Sequence, residues 1–317
     1  MRIPFRIAGA GAKPFDVVGF GLNSVDLVGV VAEFPRANSK QPLQRFARLP
    51  GGEIATAMVT CARLGLRASY IGSFGDDDLG VLSRSSLATE GVDVSAARTV
   101  PGATNQFALI IVDARSGERT VLWDRDPALA SDPAMMSREA VTAGRMLIVD
   151  GYETVASAQA ARFARDAGIP VVSDIEKVRP GTTDLLRHLD AIIMAQGFPS
   201  ALTGHDELGR AVQTIARDFN APLVCVTLGA EGSLAYCEGR EIRTPAFSVD
   251  CMDSTGAGDA FRGAFAAACL MRPLDDLETV LGYANAVAAL NCRALGARGG
   301  LPTREEVERL LIARPHM

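Results

Sequence analysis

The feature that most constrains this chain is its alternation of short apolar strands with helices. From Met146 the pattern runs strand (Met146–Val149), helix (Val155–Ala167), strand (Pro170–Ser173), short helix (Leu185–His188), strand (Ala191–Met194), helix (Glu207–Phe219) and strand (Leu223–Thr227). The same rhythm opens the chain, with strands at Phe15–Phe20 and Ala68–Phe74 and helices over Gly51–Leu64 and Asp77–Glu90. Strands joined through helices pair in parallel, and a parallel sheet is covered on both faces. The expected fold class is α/β: three layers, α/β/α, with a mostly parallel central sheet. A chain of 317 residues, 48% of them hydrophobic, has ample apolar mass for that core. Ligands in such folds bind outside the carboxyl ends of the strands, so motifs just after strands carry the functional argument.

Two segments break the rhythm. Asp26–Pro50 and Pro101–Arg125, about 26–50 and 101–125, read as strands without intervening helices. In the second, Gln106–Val112 and Glu118–Trp123 flank Arg115-Ser116-Gly117, which reads as a hairpin turn. Another hairpin, Ser233–Tyr236 with Glu241–Arg243, precedes helices at about 257–271, 275–295 and 303–312. Residues 1–14 read as a flexible lead and residues 15–317 as one domain. Gly9–Lys13 is not a phosphate loop, because no strand precedes it and no Ser or Thr follows the lysine.

The stretch Asp253-Ser254-Thr255-Gly256-Ala257-Gly258-Asp259-Ala260-Phe261 points to chemistry. Gly256 and Gly258 permit a turn whose backbone N–H groups converge on one anion. From Ala257 the chain is Ala-rich and free of proline up to Pro273, which reads as a helix. Ser254 or Thr255 can cap it. Its N-terminus carries orphan donors and roughly half a positive charge, which favours phosphate. Asp259 stands beside that site. It is either a first-turn aspartate held by the helix dipole or the base that takes the proton of an attacking hydroxyl. The small face of this helix (Gly263, Ala264, Ala267, Ala268) should press closely against a sheet.

At these residues the chain resembles the ribokinase-like (PfkB) family of carbohydrate and nucleoside kinases, whose signature is an Asp-Thr-x-Gly-Ala-Gly-Asp string near the C-terminal end. The resemblance covers about Asp16 to Pro302. It implies Asp259 as catalytic base and the Gly256, Ala257 and Gly258 amides as an anion hole. It also makes the two early insertions a small β lid that closes over the sugar and contributes to a homodimer contact. Water exclusion gives such a lid its physical purpose. The Arg119-Thr120-Val121-Leu122 strand and the Glu176-Lys177 pair lean toward the ketohexokinase branch.

On the acceptor side, Asp26 follows the first strand, where a carboxylate can accept hydrogen bonds from sugar hydroxyls. The family places a substrate-binding aspartate there. Gly51-Gly52 permits close backbone approach to a ligand. The family continues with a pattern like Gly-Gly-Asn-x-x-Asn, but here Glu53 and Thr56 stand at the asparagine positions. Glu53 either faces the substrate, disfavouring an anionic acceptor, or is a helix-start carboxylate turned away. Arg36, Lys40, Arg45, Arg48, Arg119 and Arg125 are cations of the lid segments that read chiefly as a solvated face. Arg262 reads as a surface residue.

On the nucleotide side, Thr227-Leu228-Gly229-Ala230-Glu231-Gly232 follows a buried strand and matches the family's turn near the nucleotide, giving Thr227, Gly229 and Gly232 as binding residues. Asn285 matches a family asparagine near the adenine. Gly296–Pro302 matches the closing loop near a monovalent-cation site, where K⁺ is the candidate ion. The family's Asn-x-x-Glu, which organises magnesium-bound water, is replaced by Ala195-Gln196-Gly197-Phe198. Mg²⁺ is then expected to arrive on ATP.

Composition excludes other classes. A net charge of −5 gives no electrostatic case for nucleic acid. Six cysteines without a CxxC pair read as reduced thiols of a cytoplasmic protein, and three histidines make a zinc site unexpected. No apolar run suits a membrane span. The reading is an ATP-dependent kinase for a hydroxymethyl group of a small sugar, a ketohexose or pentose. The alternatives are a nucleoside kinase of the same fold, against which the 6% aromatic content argues, and a non-catalytic sugar or nucleotide sensor, which would have no need of Asp259.

Overall fold

Along each central strand successive side chains leave on opposite faces, and the apolar runs feed two cores at once. Val17, Met146 and Ile148 enter one cluster, while Val18, Leu147 and Val149 enter the other. The computed structural model describes residues 1–115 and 119–313. Its elements run β1 (Val17–Phe20), β2 (Ser24–Val31), β3 (Arg45–Gly51), α1 (Glu53–Arg63), β4 (Ala68–Ile71), β5 (Ser73–Gly75), α2 (Asp78–Thr89), β6 (Arg98–Val100), β7 (Phe107–Asp113), β8 (Arg119–Asp124), α3 (Arg138–Val141), β9 (Met146–Asp150) and α4 (Thr154–Asp166). They continue with β10 (Val171–Asp174), α5 (Thr182–Leu186), β11 (Ala191–Ala195), α6 (Phe198–Thr203), α7 (Leu208–Phe219), β12 (Leu223–Thr227), β13 (Ser233–Cys237), β14 (Arg240–Thr244), α8 (Ala257–Met271), α9 (Leu277–Asn291) and α10 (Arg304–Ala313).

The large sheet has eight strands in the order β14-β13-β12-β11-β10-β9-β1-β4. It is parallel from β12 to β4, with β13 and β14 turned back as an antiparallel edge. One cluster lies under α1, α8 and α9, the other under α4 and α7. This is the expected three-layer α/β/α architecture. The carboxyl ends of β1, β9, β10, β11 and β12 open on one edge, and the signature turn lies there.

The two early insertions join in a second sheet of four strands, β3-β2-β7-β8, in which β2 and β7 run parallel. The register puts Asp26, Ala108, Ile110, Val121 and Trp123 on one face and Leu27, Phe46, Leu109 and Leu122 on the other. The expected turn at Arg115-Ser116-Gly117 falls partly on residues outside those described.

Four expectations change. Ala68–Phe74 is two strands, β4 in the large sheet and β5 paired with β6. The chain leaves the sheet between them, where the Tyr70 hydroxyl donates to the Gly21 carbonyl at 2.7 Å. The helix expected over 275–295 ends at Asn291. The N-terminal segment lies against the body: Met1, Ile3, Phe5 and Ile7 pack on the core, and the Met1 carbonyl accepts from the Leu277 amide at 2.6 Å. Last, Gly263 of α8 meets a helix rather than a sheet. A β-carbon there would stand 2.5 Å from the Ala57 carbonyl, so α8 packs backbone to backbone on α1.

Candidate active site

The signature turn is a partition. Gly256 adopts φ +73° at the N-cap of α8, a conformation glycine supplies without steric cost. A β-carbon on it would stand 2.7 Å from Ala297 Cα, so the turn lies flush against the 296–300 loop. Asp253 ties the two together, accepting from the Thr255 amide at 2.9 Å and the Gly296 amide at 2.8 Å. Thr255, Gly256 and Asp259 face one cavity of about 380 Å³. Ser254, Ala257 and Gly258 face another of about 560 Å³.

The smaller cavity gathers the predicted acceptor residues Asp26, Gly52 and Glu53 with Asp259, under a wall formed by the β2-β7-β8 face. Gly52 has φ +92°, and a β-carbon on it would press 2.7 Å from the Ser24 amide nitrogen. Gly51 lies behind it, with the Asp26 carboxylate 2.5 Å from where its β-carbon would be. Burial pushes Asp26 up to about 6, with Arg298 pulling the other way and Asp253 adding to the rise. Glu53 faces the cavity. Burial, joined by the charges of Asp150, Asp174, Glu176 and Asp259, lifts its carboxyl well above the ordinary range. Asp259 is lifted in the same direction by burial and by Asp174. Of the two orientations left open for Glu53, the side chain takes the one toward this cavity.

The larger cavity brings together Thr227, Gly229, Gly232 and Asn285. Asn285 is buried, and its amide donates to the Thr244 carbonyl at 3.1 Å and the Ser233 hydroxyl at 3.2 Å. It therefore also joins α9 to the β13–β14 hairpin.

Several site residues stand elsewhere than expected. Thr56 is fully buried outside the cavity, and its hydroxyl accepts from Arg298 at 3.2 Å. A helix residue one turn in from Gly52 points at the neighbouring loop, not at the ligand space. The Ala257 amide donates to the Ser254 carbonyl at 3.2 Å, closing the turn, so it is not free to point at an anion. Arg262 is buried, 1% exposed, and pairs with Asp174 at 2.9 Å. Of the lid-segment cations only Arg119 lines the acceptor cavity, and it donates to the Ser254 hydroxyl at 2.7 Å. Arg125 is committed to Glu153 and Gln106, and Arg36, Lys40, Arg45 and Arg48 are exposed. Gln196 is exposed and lines neither cavity. Among the described residues no group of three or more His, Cys, Asp or Glu is arranged to hold a metal ion.

Sequence reasoning missed three residues. Arg298, 5% exposed, donates to the Gly51 carbonyl at 2.6 Å, to Thr56 and to the Ser86 hydroxyl at 3.1 Å, so the C-terminal loop holds the acceptor turn. Asp150 accepts from the Leu22 and Tyr152 amides, at 2.6 and 3.0 Å. Burial raises it to about 7. Asp174 ends β10 beneath Asp259. Its position at the carboxyl end of a parallel strand was the available signal.

The sequence profile described as pfkB family carbohydrate kinase matches residues 15–304. The chain belongs to this family. It is a phosphotransferase that acts on sugars. It is similar to an ATP-dependent ribose-1-phosphate kinase of Halopiger xanaduensis, 30% identical over 300 residues that cover 94% of this chain and 98% of the relative. It also resembles the ribokinase of Bacillus subtilis, 28% identical over 294 residues, covering 92% and 97% of the two chains. The solved structure of Arabidopsis thaliana ribokinase complexed with ribose and ATP shares the fold with a TM-score of 0.81 at 24% identity, covering 94% of this chain and 98% of that one. No helix among the described residues of this sugar kinase is long and apolar enough to cross a membrane.

Proposed function

We propose that this sugar kinase transfers the γ-phosphoryl group of MgATP to a hydroxymethyl group of a small sugar, a pentose or a ketohexose. The observation that carries the reading is the partition: one helix N-terminus separates an acceptor cavity with four carboxyls (Asp26, Glu53, Glu176 and Asp259) from a second cavity lined by the nucleotide-side residues. Asp26 and Glu53 hold the hydroxyls of the acceptor. Glu53, with its raised proton affinity, presents one donor and one acceptor, as an amide would, which accounts for its place where relatives of the family carry asparagine. The end of the sugar held there carries hydroxyls rather than an anion. Asp259 takes the proton of the attacking hydroxyl as the new O–P bond forms and the bond to the leaving ADP breaks. Burial and the neighbouring carboxyls raise its proton affinity, which favours taking up a proton. The Gly256 and Gly258 amides stabilise the charge on the moving phosphoryl group. Mg²⁺ is expected to arrive with the nucleotide substrate, where its charge neutralises the phosphates. The four-stranded sheet acts as a lid. Its outer face leaves Phe46 54%, Leu109 39% and Leu122 54% exposed, which supports a homodimer through this face.

The test is ADP release with MgATP across pentoses, ketohexoses, sugar phosphates and nucleosides. Nucleosides belong in the panel because Trp123 and Tyr152, 5.8 Å apart edge to face, give the cavity wall an aromatic surface. One strong sugar acceptor is expected, with Asp259→Asn lowering kcat by roughly a thousandfold or more. No turnover with any acceptor, alongside measurable nucleotide binding, would overturn the reading.

A further inference from the structure

The largest fully buried side chain among the described residues is Arg262, one turn along α8 from Asp259. Its guanidinium pairs with Asp174, itself 0% exposed, at 2.9 Å. A β-carbon on Gly258 would collide with one of its terminal nitrogens. The glycine thus serves the cation packed below the turn as well as the anion expected above it. The carboxyls of Asp174 and Asp259 are both buried and feel one another's charge. Burying an arginine and a carboxylate is expensive and stabilises a fold no better than a packed apolar pair of the same volume. Neither residue lines the acceptor or the nucleotide cavity.

We propose that Arg262 and Asp174 are positioning residues for the general base, a buried pair that holds Asp259 in register and sets the pH at which it can accept a proton. The groups that face Asp259 come from every element around it: Arg262 on α8, Asp174 on β10, Glu176 just after β10, Asp26 on β2, Glu53 on α1 and Arg298 in the loop after α9. Four of these six are carboxyls. Without a cation among them Asp259 would hold its proton and have no capacity to take another. Arg262, with Arg298, supplies positive charge there, and it lowers the proton affinity of both aspartates. Asp174 works in the opposite sense on Asp259, because two adjacent carboxylates resist ionising together. The pair therefore has two arms whose removal moves Asp259 in opposite directions, a signature that simple structural support lacks.

This inference rests on the reading of Asp259 as the base. The experiment is the pH dependence of kcat/KM for the best sugar acceptor, whose acid limb reports the free enzyme's base. Arg262→Met is expected to move the limb up by about 1–3 pH units, the range for loss of a close opposite charge. Asp174→Asn should move it down, and the double variant should return toward the parent. Arg262→Lys should keep the limb near its original position with a lower rate. Limbs that stay put while rates fall equally at every pH would overturn the inference, as would shifts in the same direction. If Arg262→Met does not fold, as judged by circular dichroism, the Asp174→Asn limb decides alone. A parent protein with no kinase activity at any pH would instead sink the reading of the base itself.

Discussion

Arg298→Met tests whether the C-terminal loop holds the acceptor turn. The substitution keeps most of the buried volume and removes three donated hydrogen bonds, to the Gly51 carbonyl, the Thr56 hydroxyl and the Ser86 hydroxyl. The two hydroxyls can rotate to other partners, but the Gly51 carbonyl cannot. An orphaned buried acceptor costs about 1–3 kcal/mol. Asp26, whose charge Arg298 offsets, loses that nearby positive charge as well, worth about 1–3 pK units or about 1–4 kcal/mol. Against these stands the relief of desolvation: burial pulls the Arg298 guanidinium down to about 10, so its own charge is costly to keep. The balance is about 3 kcal/mol. At roughly 2–4 °C per kcal/mol for a chain approaching this size, Tm should fall by about 6–12 °C. The sugar KM should rise more than kcat falls, because the role proposed for Gly51, Gly52 and Asp26 is to bind the acceptor rather than to perform the transfer. Thermal unfolding followed by circular dichroism and steady-state kinetics read both. A Tm within about 1 °C of the parent, with an unchanged sugar KM, would refute the reasoning.

Gly256→Ala forces a β-carbon onto the Ala297 backbone at φ +73° and should cost roughly a hundredfold in kcat, the scale of losing one transition-state donor; activity within threefold of the parent would show that the turn can move without harm. Glu53→Gln keeps a donor and an acceptor and should leave kcat/KM at neutral pH within a few-fold, whereas Glu53→Ala should raise the sugar KM about tenfold, the worth of one hydrogen bond. If Gln is as damaging as Ala, Glu53 acts as a charge. The ligand-free protein should grow more stable as pH falls from 7.5 to 5. Asp26, Asp150 and Asp174 are raised to about 6, 7 and 6, so between about pH 7 and 4 the folded state binds protons that the unfolded chain does not. A urea midpoint that drops over that range would contradict the assignment.

The sequence by itself determined the layered fold and the chemistry of the signature turn. Strand and helix periodicities are local, and apolar alternation along β1 and β9 dictates two cores wherever those strands pair. The Asp253–Asp259 string is also local: an anion turn, a helix start and a carboxylate within seven residues, legible before any contact is known. What only the tertiary structure decided lies in contacts between distant segments. Thr56 and Glu53 read alike as departures from one motif, yet one is turned to Arg298, 242 positions away, and the other to the cavity. Arg262 reads as a surface arginine because its helix is otherwise ordinary. Its burial follows from Asp174, which arrives from the sheet to pair with it. The N-terminal segment carries too little pattern to announce that it docks on the core. A buried charge is affordable only beside its partner, and which partner comes to hand depends on packing. Side-chain direction along the chain is set by period, but the fate of a polar group is set by whatever the rest of the fold places opposite it.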